Sequence, residues 1–300
     1  MTTKKAILKI MVILIGVLFS LVLIINLAQQ PIPEHVYFQQ FDKKPLVIAH
    51  AGSDLYPTDT MYAFEHYAAM GVDILEMDTN MTKDGKIVVI HDSKLDRTTD
   101  GTGDISELTL EESQQYDAAY WWTTDDGETY PLRGEGIVIP SLRTVFETFP
   151  EYPMIIEIKQ ESPSMAIPLC KLIREYDMSE RVLVPSFSDT AINEFRAACP
   201  EVATAASPSE VKEFVIRNFL LLSGTIKPKY QALQVPESRD GIPIVNRFFL
   251  WSTGRMNIDV HIWTINDSGE MQKFIDMNVD GIMTDRTDLL IEILNQSEED

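Results

Sequence analysis

From residue 46 onward the chain repeats one pattern, a short apolar run followed by a longer stretch of helical periodicity. The runs are LVIAH (46–50), ILEMD (74–78), MIIEIK (154–159), VLVPS (182–186), VATAA (202–206), QALQV (231–235), VHIWTI (260–265) and GIMT (281–284). Runs this apolar, separated by helices, read as parallel strands covered on both faces. Eight of them within residues 45–295 predict a single (β/α)8 TIM barrel, whose usual size is about 250 residues. The clearest helices are DTMYAFEHYAAMG, with Asp59 or Thr60 as N-cap and Gly71 as C-cap, and SGEMQKFIDMN, capped by Ser268.

One apolar run does not fit the alternation. KIVVIH follows ILEMDTNMTKDG almost at once, and an Asp84-Gly85 turn joins antiparallel neighbours, whereas a parallel crossover needs a dozen or more residues. It therefore folds back on the second barrel strand and opens an insertion over about 83–140, placed at the strand C-terminal rim where barrel enzymes keep their chemistry. The insertion carries YWW at Tyr120, Trp121 and Trp122, read chiefly as packing onto the rim. A lipid-facing role for these aromatics is the alternative.

The first residues differ from the rest. Lys4, Lys5 and Lys9 lie in a short N-terminus (1–9), before an uncharged, mostly apolar stretch over 10–28 and a linker over 29–44. Nineteen such residues at ~1.5 Å each nearly match a ~30 Å hydrocarbon core, so one N-terminal transmembrane anchor is expected, uncleaved for want of a good small-residue site. The lysines then place the N-terminus in the cytoplasm and the barrel outside the cell or in the periplasm, as a single-pass membrane protein. A buried core helix is the alternative reading.

Past residue 30 the chain carries 22 Lys+Arg against 46 Asp+Glu, ending in an acidic tail over 296–300. That surface repels nucleic acid, so a nucleic-acid partner is excluded. Cys170 and Cys199 fall in predicted helices and read as small buried hydrophobes, with a disulfide as the other possibility.

Chemistry concentrates at the strand ends. Glu76 and Asp78 are two apart on one strand and share a face, and Glu157 holds the matching place on the next. Three carboxylates aimed at one spot repel each other unless a cation sits among them, and an all-oxygen set suits Ca2+ or Mg2+. His50 ends the first strand and His91 ends the folded-back run, so two groups that titrate near neutrality can reach the same mouth. His35 and His66 read as solvated, and His261 starts its strand at the wrong end. Trp263 is expected to line the pocket, with core packing close behind.

VIAHAG, DILEMDTNMTKDGKIVVIHDSKLDRTTDGTG, IPSL, IIEIK, HIWTIN and DGIMTDRTDLL, spread from Val47 to Leu290, resemble the motifs of the glycerophosphodiester phosphodiesterases in their family order. The resemblance implies a barrel enzyme that hydrolyses glycerophosphodiesters, the deacylated phospholipid headgroups, to an alcohol and glycerol 3-phosphate with a bound divalent cation. It casts His50 and His91 as the acid–base pair, Glu76, Asp78 and Glu157 as metal ligands, and Lys159 as a phosphate contact. Two departures stand out: Ala51 replaces the family's arginine after the first histidine, and PTDT, with Thr58 and Asp59, replaces PENT. Losing a charged hydrogen bond to phosphate typically costs ~1.5–3 kcal/mol. Asp59 then either replaces the missing carboxylate or caps the first helix. The competing functions are a lysophospholipase D-type action on membrane lysophospholipids and a weakened barrel that binds or senses.

Overall fold

The computed structural model describes residues 2–28, 30–51 and 54–299. All eight expected runs are strands: β1 (Leu46–Ala49), β2 (Ile74–Met81), β4 (Met154–Ile158), β5 (Val182–Val184), β6 (Ala203–Thr204), β7 (Ala232–Pro236), β10 (Asp259–Trp263) and β11 (Gly281–Thr284). Every pairing among them is parallel, in the order β6-β5-β4-β2-β1-β11-β10-β7. A single parallel bridge, Ala205 to Ala232, closes the seam between β6 and β7. The result is a nearly closed eight-stranded parallel barrel of the TIM type. Outside it lie α2 (Met61–Met70), α4 (Leu142–Thr148), α5 (Ala166–Glu175), α6 (Asp189–Ala198), α7 (Pro208–Phe219), α8 (Arg247–Met256), α9 (Ser268–Asp276) and α10 (Thr287–Glu299). A short hairpin, β8 (Ser238–Arg239) with β9 (Ile242–Pro243), projects after β7.

Alternation along the strands sorts two cores. Residues such as Val47, Leu75, Ile156 and Ile262 point outward to the helices, while Ile48, Ile74, Ile155 and Met283 fill the lumen. The expected linker is part of the barrel: a 3-10 turn over Val36–Gln40 puts Tyr37 and Phe38 into the lumen core and plugs its N-terminal end. β3 (Ile87–Val89) lies antiparallel on β2, with Thr79 opposite Val89, as the Asp84-Gly85 turn requires. The insertion, which includes α3 (Leu110–Ser113), has a small core of its own around Val88, Ile90, Leu95 and Ile139. There Gly101 is required by space, because an added Cβ would sit 2.5 Å from the Tyr116 ring.

Thr60 is the N-cap of α2, and Gly71 closes that helix at φ +79°, a left-handed conformation that costs glycine little. The cap of α9 is Asp267, not Ser268: its carboxylate accepts from the N–H groups of Gly269 and Glu270. Cys170 and Cys199 form a disulfide that ties α5 to α6, where the sequence had suggested two small hydrophobes.

The expected membrane anchor is corrected. Residues Thr2–Ala28 do form a helix, α1, yet among the described residues no helix is long and apolar enough to cross a membrane. The single-pass topology and its outward-facing barrel are therefore not supported. The C-terminal turn of α1 meets protein: Asn26 is buried, donates to Leu221 O at 2.7 Å, and accepts from Ser223 Oγ and Gly224 N at 3.1 Å each. A buried amide satisfied this way holds α1 against the barrel. The expected acidic tail is the last turn of α10, apart from Asp300, which lies outside the described residues.

Candidate active site

β2 and β4 place the three predicted carboxylates together. Their register sets Asp78 opposite Glu157, and Glu76 lies two residues back on the same face. One oxygen from each of Glu76, Asp78 and Glu157 falls within 4.8 Å of the others, and all three residues are buried. Lys159 follows β4, fixed by its N–H to Thr79 O at 3.1 Å. Its Nζ stands 3.0 Å from Asp78 Oδ1 and 3.1 Å from Glu157 Oε1.

One ammonium does not satisfy the cluster. Glu157 Oε1 lies in ion-pair range but has no hydrogen bond among the described residues, nor has the buried Asp59 Oδ2. Burial, then the neighbouring Asp78 carboxylate, push Glu76 up to about 8. Burial outweighs Lys159 and pushes Glu157 up to about 7. Acids pushed up by burial and crowding in this way suit a hard divalent cation, which would let them ionise. The residues present therefore fit a metal ion, held by Glu76, Asp78 and Glu157.

The two histidines reach the same mouth by different routes. His50 follows β1, and its Nδ1 donates to Asp285 Oδ1 at 2.8 Å, just past β11. Asp285 is held in turn by Asn266, which donates Nδ2 to Oδ2 at 2.8 Å and accepts the Asp285 N–H at 2.9 Å. Burial alone would lower His50, but the Asp285 hydrogen bond and the charge of Glu76 outweigh it and raise it to about 9. His91 lies past β3 at the start of the insertion, with Nδ1 2.6 Å from Asp92 Oδ1. There Arg97 grips the same carboxylate with Nε at 2.6 Å and Nη2 at 3.2 Å. In both pairs a carboxylate at Nδ1 orients the ring and leaves Nε2 for a substrate.

Trp263, at the end of β10, meets Phe187 edge-on at 5.7 Å, and Lys159 Nζ lies 5.8 Å from the Phe187 ring centre. Phe187 is 66% exposed, a large apolar face beside a charged cluster. Sequence reasoning did not single out Phe187, Asp285 or Asn266. Asp285 and Asn266 stand inside DGIMTDRTDLL and HIWTIN, just past strand C-termini, and the rule that barrel chemistry gathers there would have found them.

The departures from the family motif touch each other. Thr58 Oγ1 donates to Ala51 O, while the Ala51 N–H donates to Glu76 Oε2 at 2.8 Å. The cation absent at 51 and the acid absent at 58 are missing from one place, where a hydroxyl and a backbone carbonyl meet instead. Asp59 does not cap α2. It is 3% exposed at φ +55°, and its Oδ1 accepts the Asp78 N–H at 3.2 Å.

Other expectations resolve as packing. His261 is buried at the far end, with neither ring nitrogen hydrogen-bonded among the described residues. His66 lies between Tyr56 and Tyr62, and His35 accepts the Tyr37 N–H, so neither is simply solvated. Arg133 sits against Tyr120, Trp121 and Tyr130 at 4.0, 5.3 and 3.9 Å, while Trp121 stays 48% exposed.

Comparisons with known proteins place the chain among relatives. The chain is 30% identical over 253 residues to the YhdW protein of Bacillus subtilis, covering 82% of this chain and 96% of that one. It is 29% identical over 272 residues to the glycerophosphodiester phosphodiesterase of Caldanaerobacter subterraneus subsp. tengcongensis, covering 84% and 99%. An Oleispira antarctica phosphodiesterase, solved in complex with the product sn-glycerol-3-phosphate, superposes with a TM-score of 0.65 at 24% identity over 84% of this chain and 97% of that one. The profile of the glycerophosphoryl diester phosphodiesterase family matches residues 50–289, a span that runs from His50 through Asp285, and to that family this chain belongs.

Proposed function

We propose that the protein hydrolyses glycerophosphodiesters to an alcohol and glycerol 3-phosphate, with residues 45–295 as the catalytic domain and one divalent cation as cofactor. The observation that carries this reading is the convergence of Glu76, Asp78 and Glu157 with two carboxylate-oriented histidines at one barrel mouth. Family membership and the product held by the Oleispira relative support it.

A divalent ion bound by the three acids would supply Lewis-acid charge at the phosphoryl oxygens. Lys159, freed from part of its duty to Asp78 and Glu157, holds a second phosphoryl oxygen as negative charge grows there. His91 takes a proton from the attacking water as its oxygen bonds to phosphorus. The bond from phosphorus to the departing alcohol oxygen breaks, and His50 hands that oxygen a proton. This assignment follows the carboxylates: Asp285 is backed by a neutral amide and keeps its full charge for an imidazolium, whereas Asp92 shares its charge with Arg97. Trp263 and Phe187 flank the organic part of the substrate. At 51 and 58 the chain is a divergent member, and Lys159 carries the phosphate contact that Ala51 cannot.

The test is the full-length protein with glycerophosphocholine and, separately, lysophosphatidylcholine, with and without EDTA, beside His91→Ala. Glycerol 3-phosphate should appear from the first substrate, vanish on chelation, return with added ion and fall on the order of 100-fold or more in the variant. Turnover indifferent to chelation rejects the metal. Turnover of the lysophospholipid alone moves the activity to lysophospholipase D.

A further inference from the structure

Asp59 is a fourth buried acid at this mouth, and neither the three-acid ligand set nor the acid–base pair employs it. It stands where the PENT motif has asparagine, so the extra charge belongs to this chain. Its backbone takes φ +55°, a left-handed conformation uncommon outside glycine, asparagine and aspartate. The residue is 3% exposed and tied by Oδ1 to the N–H of Asp78, one acid of the cluster. Oδ2 is buried with no hydrogen bond among the described residues. Helix capping does not explain it, because Thr60 performs that task. A strained backbone and an orphaned buried oxygen, both beside the acids that fit a cation, mark a group kept for a ligand.

We propose that Asp59 is a fourth carboxylate of the cation site and that it tunes the site toward Ca2+ over Mg2+. This rests on the cation assignment above. Ca2+ accepts six to eight oxygens in loose geometry and gains affinity with the number of charged ligands, whereas Mg2+ keeps several waters and takes one or two carboxylates. Glu76, Asp78 and Glu157 form the group whose oxygens lie within 4.8 Å of one another, and Asp59 Oδ2, buried outside that group without a hydrogen bond among the described residues, would bring the ion a fourth carboxylate, more than Mg2+ takes.

The experiment titrates Ca2+ and then Mg2+ calorimetrically into the metal-stripped full-length protein, into Asp59→Asn and into Glu76→Gln, with the melting temperature of each metal-free variant recorded. Asparagine preserves the shape and the bond to Asp78 N–H and removes only the charge. Wild type should bind Ca2+ more tightly than Mg2+. Asp59→Asn should lose on the order of tenfold or more in Ca2+ affinity with Mg2+ little changed, and should melt higher than wild type when stripped, since one buried repulsion is gone. Glu76→Gln should abolish binding of both. Unchanged Ca2+ affinity in a folded Asp59→Asn, with binding lost in Glu76→Gln, overturns the role of Asp59 and leaves the metal site standing. If wild type binds neither ion, the cation assignment and this inference fall together. An Asp59→Asn protein that melts well below wild type shows the acid to be structural and also overturns the proposal.

Discussion

The two ends of the barrel solve the problem of buried charge in opposite ways. At the N-terminal end Lys43 pairs with Asp73 at 2.9 Å and Lys44 pairs with Asp280. Each of these acids also accepts a backbone N–H, from Val47 and Val260 respectively, at 2.8 Å. His261 beside them carries no charge to balance, because burial pushes it down to about 4. Asp259 is the exception, raised to about 7 by burial and then by Asp280. At the C-terminal mouth Asp78 and Glu157 share the Lys159 ammonium beside buried Glu76 and Asp59, and Asp59 Oδ2 has no hydrogen bond among the described residues. The first end is arranged for stability and the second gives stability up, which is the usual mark of a site waiting for something charged.

The largest test of that contrast exchanges one charge at each end. Glu157→Gln should remove a ligand and lower turnover by on the order of 1000-fold, while raising the melting temperature of the EDTA-treated protein by several °C, because an acid held off ionisation by burial is gone. Lys44→Met should do the reverse: turnover unchanged and melting lowered by ~1–3 °C, as expected for a half-exposed pair. Melting curves and initial rates on the same preparations decide it. A stripped Glu157→Gln that melts lower than wild type would mean that the mouth is not under electrostatic strain.

Much of this was legible before any coordinates. β-Branched runs at parallel spacing set the strand count, and the Asp84-Gly85 turn set the direction of β3. Glu76, Asp78 and Glu157 were readable because period-two alternation fixes which face a strand residue takes. Asp285 and Asn266 were not readable as a unit, since the bond from His50 to Asp285 spans 235 residues and depends on barrel closure. The same holds for Phe187, whose neighbours Trp263 and Lys159 come from distant parts of the chain. The contact of Ala51 with Thr58 turns two separate departures into one, and only coordinates bring them together. The membrane anchor is overturned by a separate finding: an uncharged stretch counted along the sequence is not the same as a helix apolar enough to cross a membrane, and among the described residues no helix is.

Within the mouth, the histidine partners give a smaller and sharper effect. Asp285→Asn should cut kcat by on the order of 100-fold and leave the calorimetric ion affinity unchanged, because it acts on His50 alone. Asn266→Ala should cost less, on the order of tenfold, since Asp285 keeps its charge and loses only its alignment. If Asp285 merely holds β11 to β1, both variants will lower melting and kcat in proportion, and ion binding will fall with them.

The smallest effect lies at the N-terminal end and is read by pH. His261 has a folded value near 4 against an ordinary 6.5, so above pH 6.5 neither the folded nor the unfolded chain takes the proton, and the full contribution of the neutral ring is present. Between pH 6.5 and 4 only the unfolded chain takes it, and stability falls with falling pH, by about 2 kcal/mol at pH 5. Asp280 faces the ring and favours its charge, and Lys44 opposes that, but burial outweighs both. His261→Leu removes the titration together with two ring nitrogens that have no hydrogen bond among the described residues. Its urea midpoint should drop less between pH 7 and pH 5 than that of wild type, with the difference confined to that window. The two proteins share every carboxylate, so acid loosening of the mouth cancels between them. Equal drops would mean that His261 is already protonated in the fold, and the N-terminal end would then carry an unbalanced buried charge of its own.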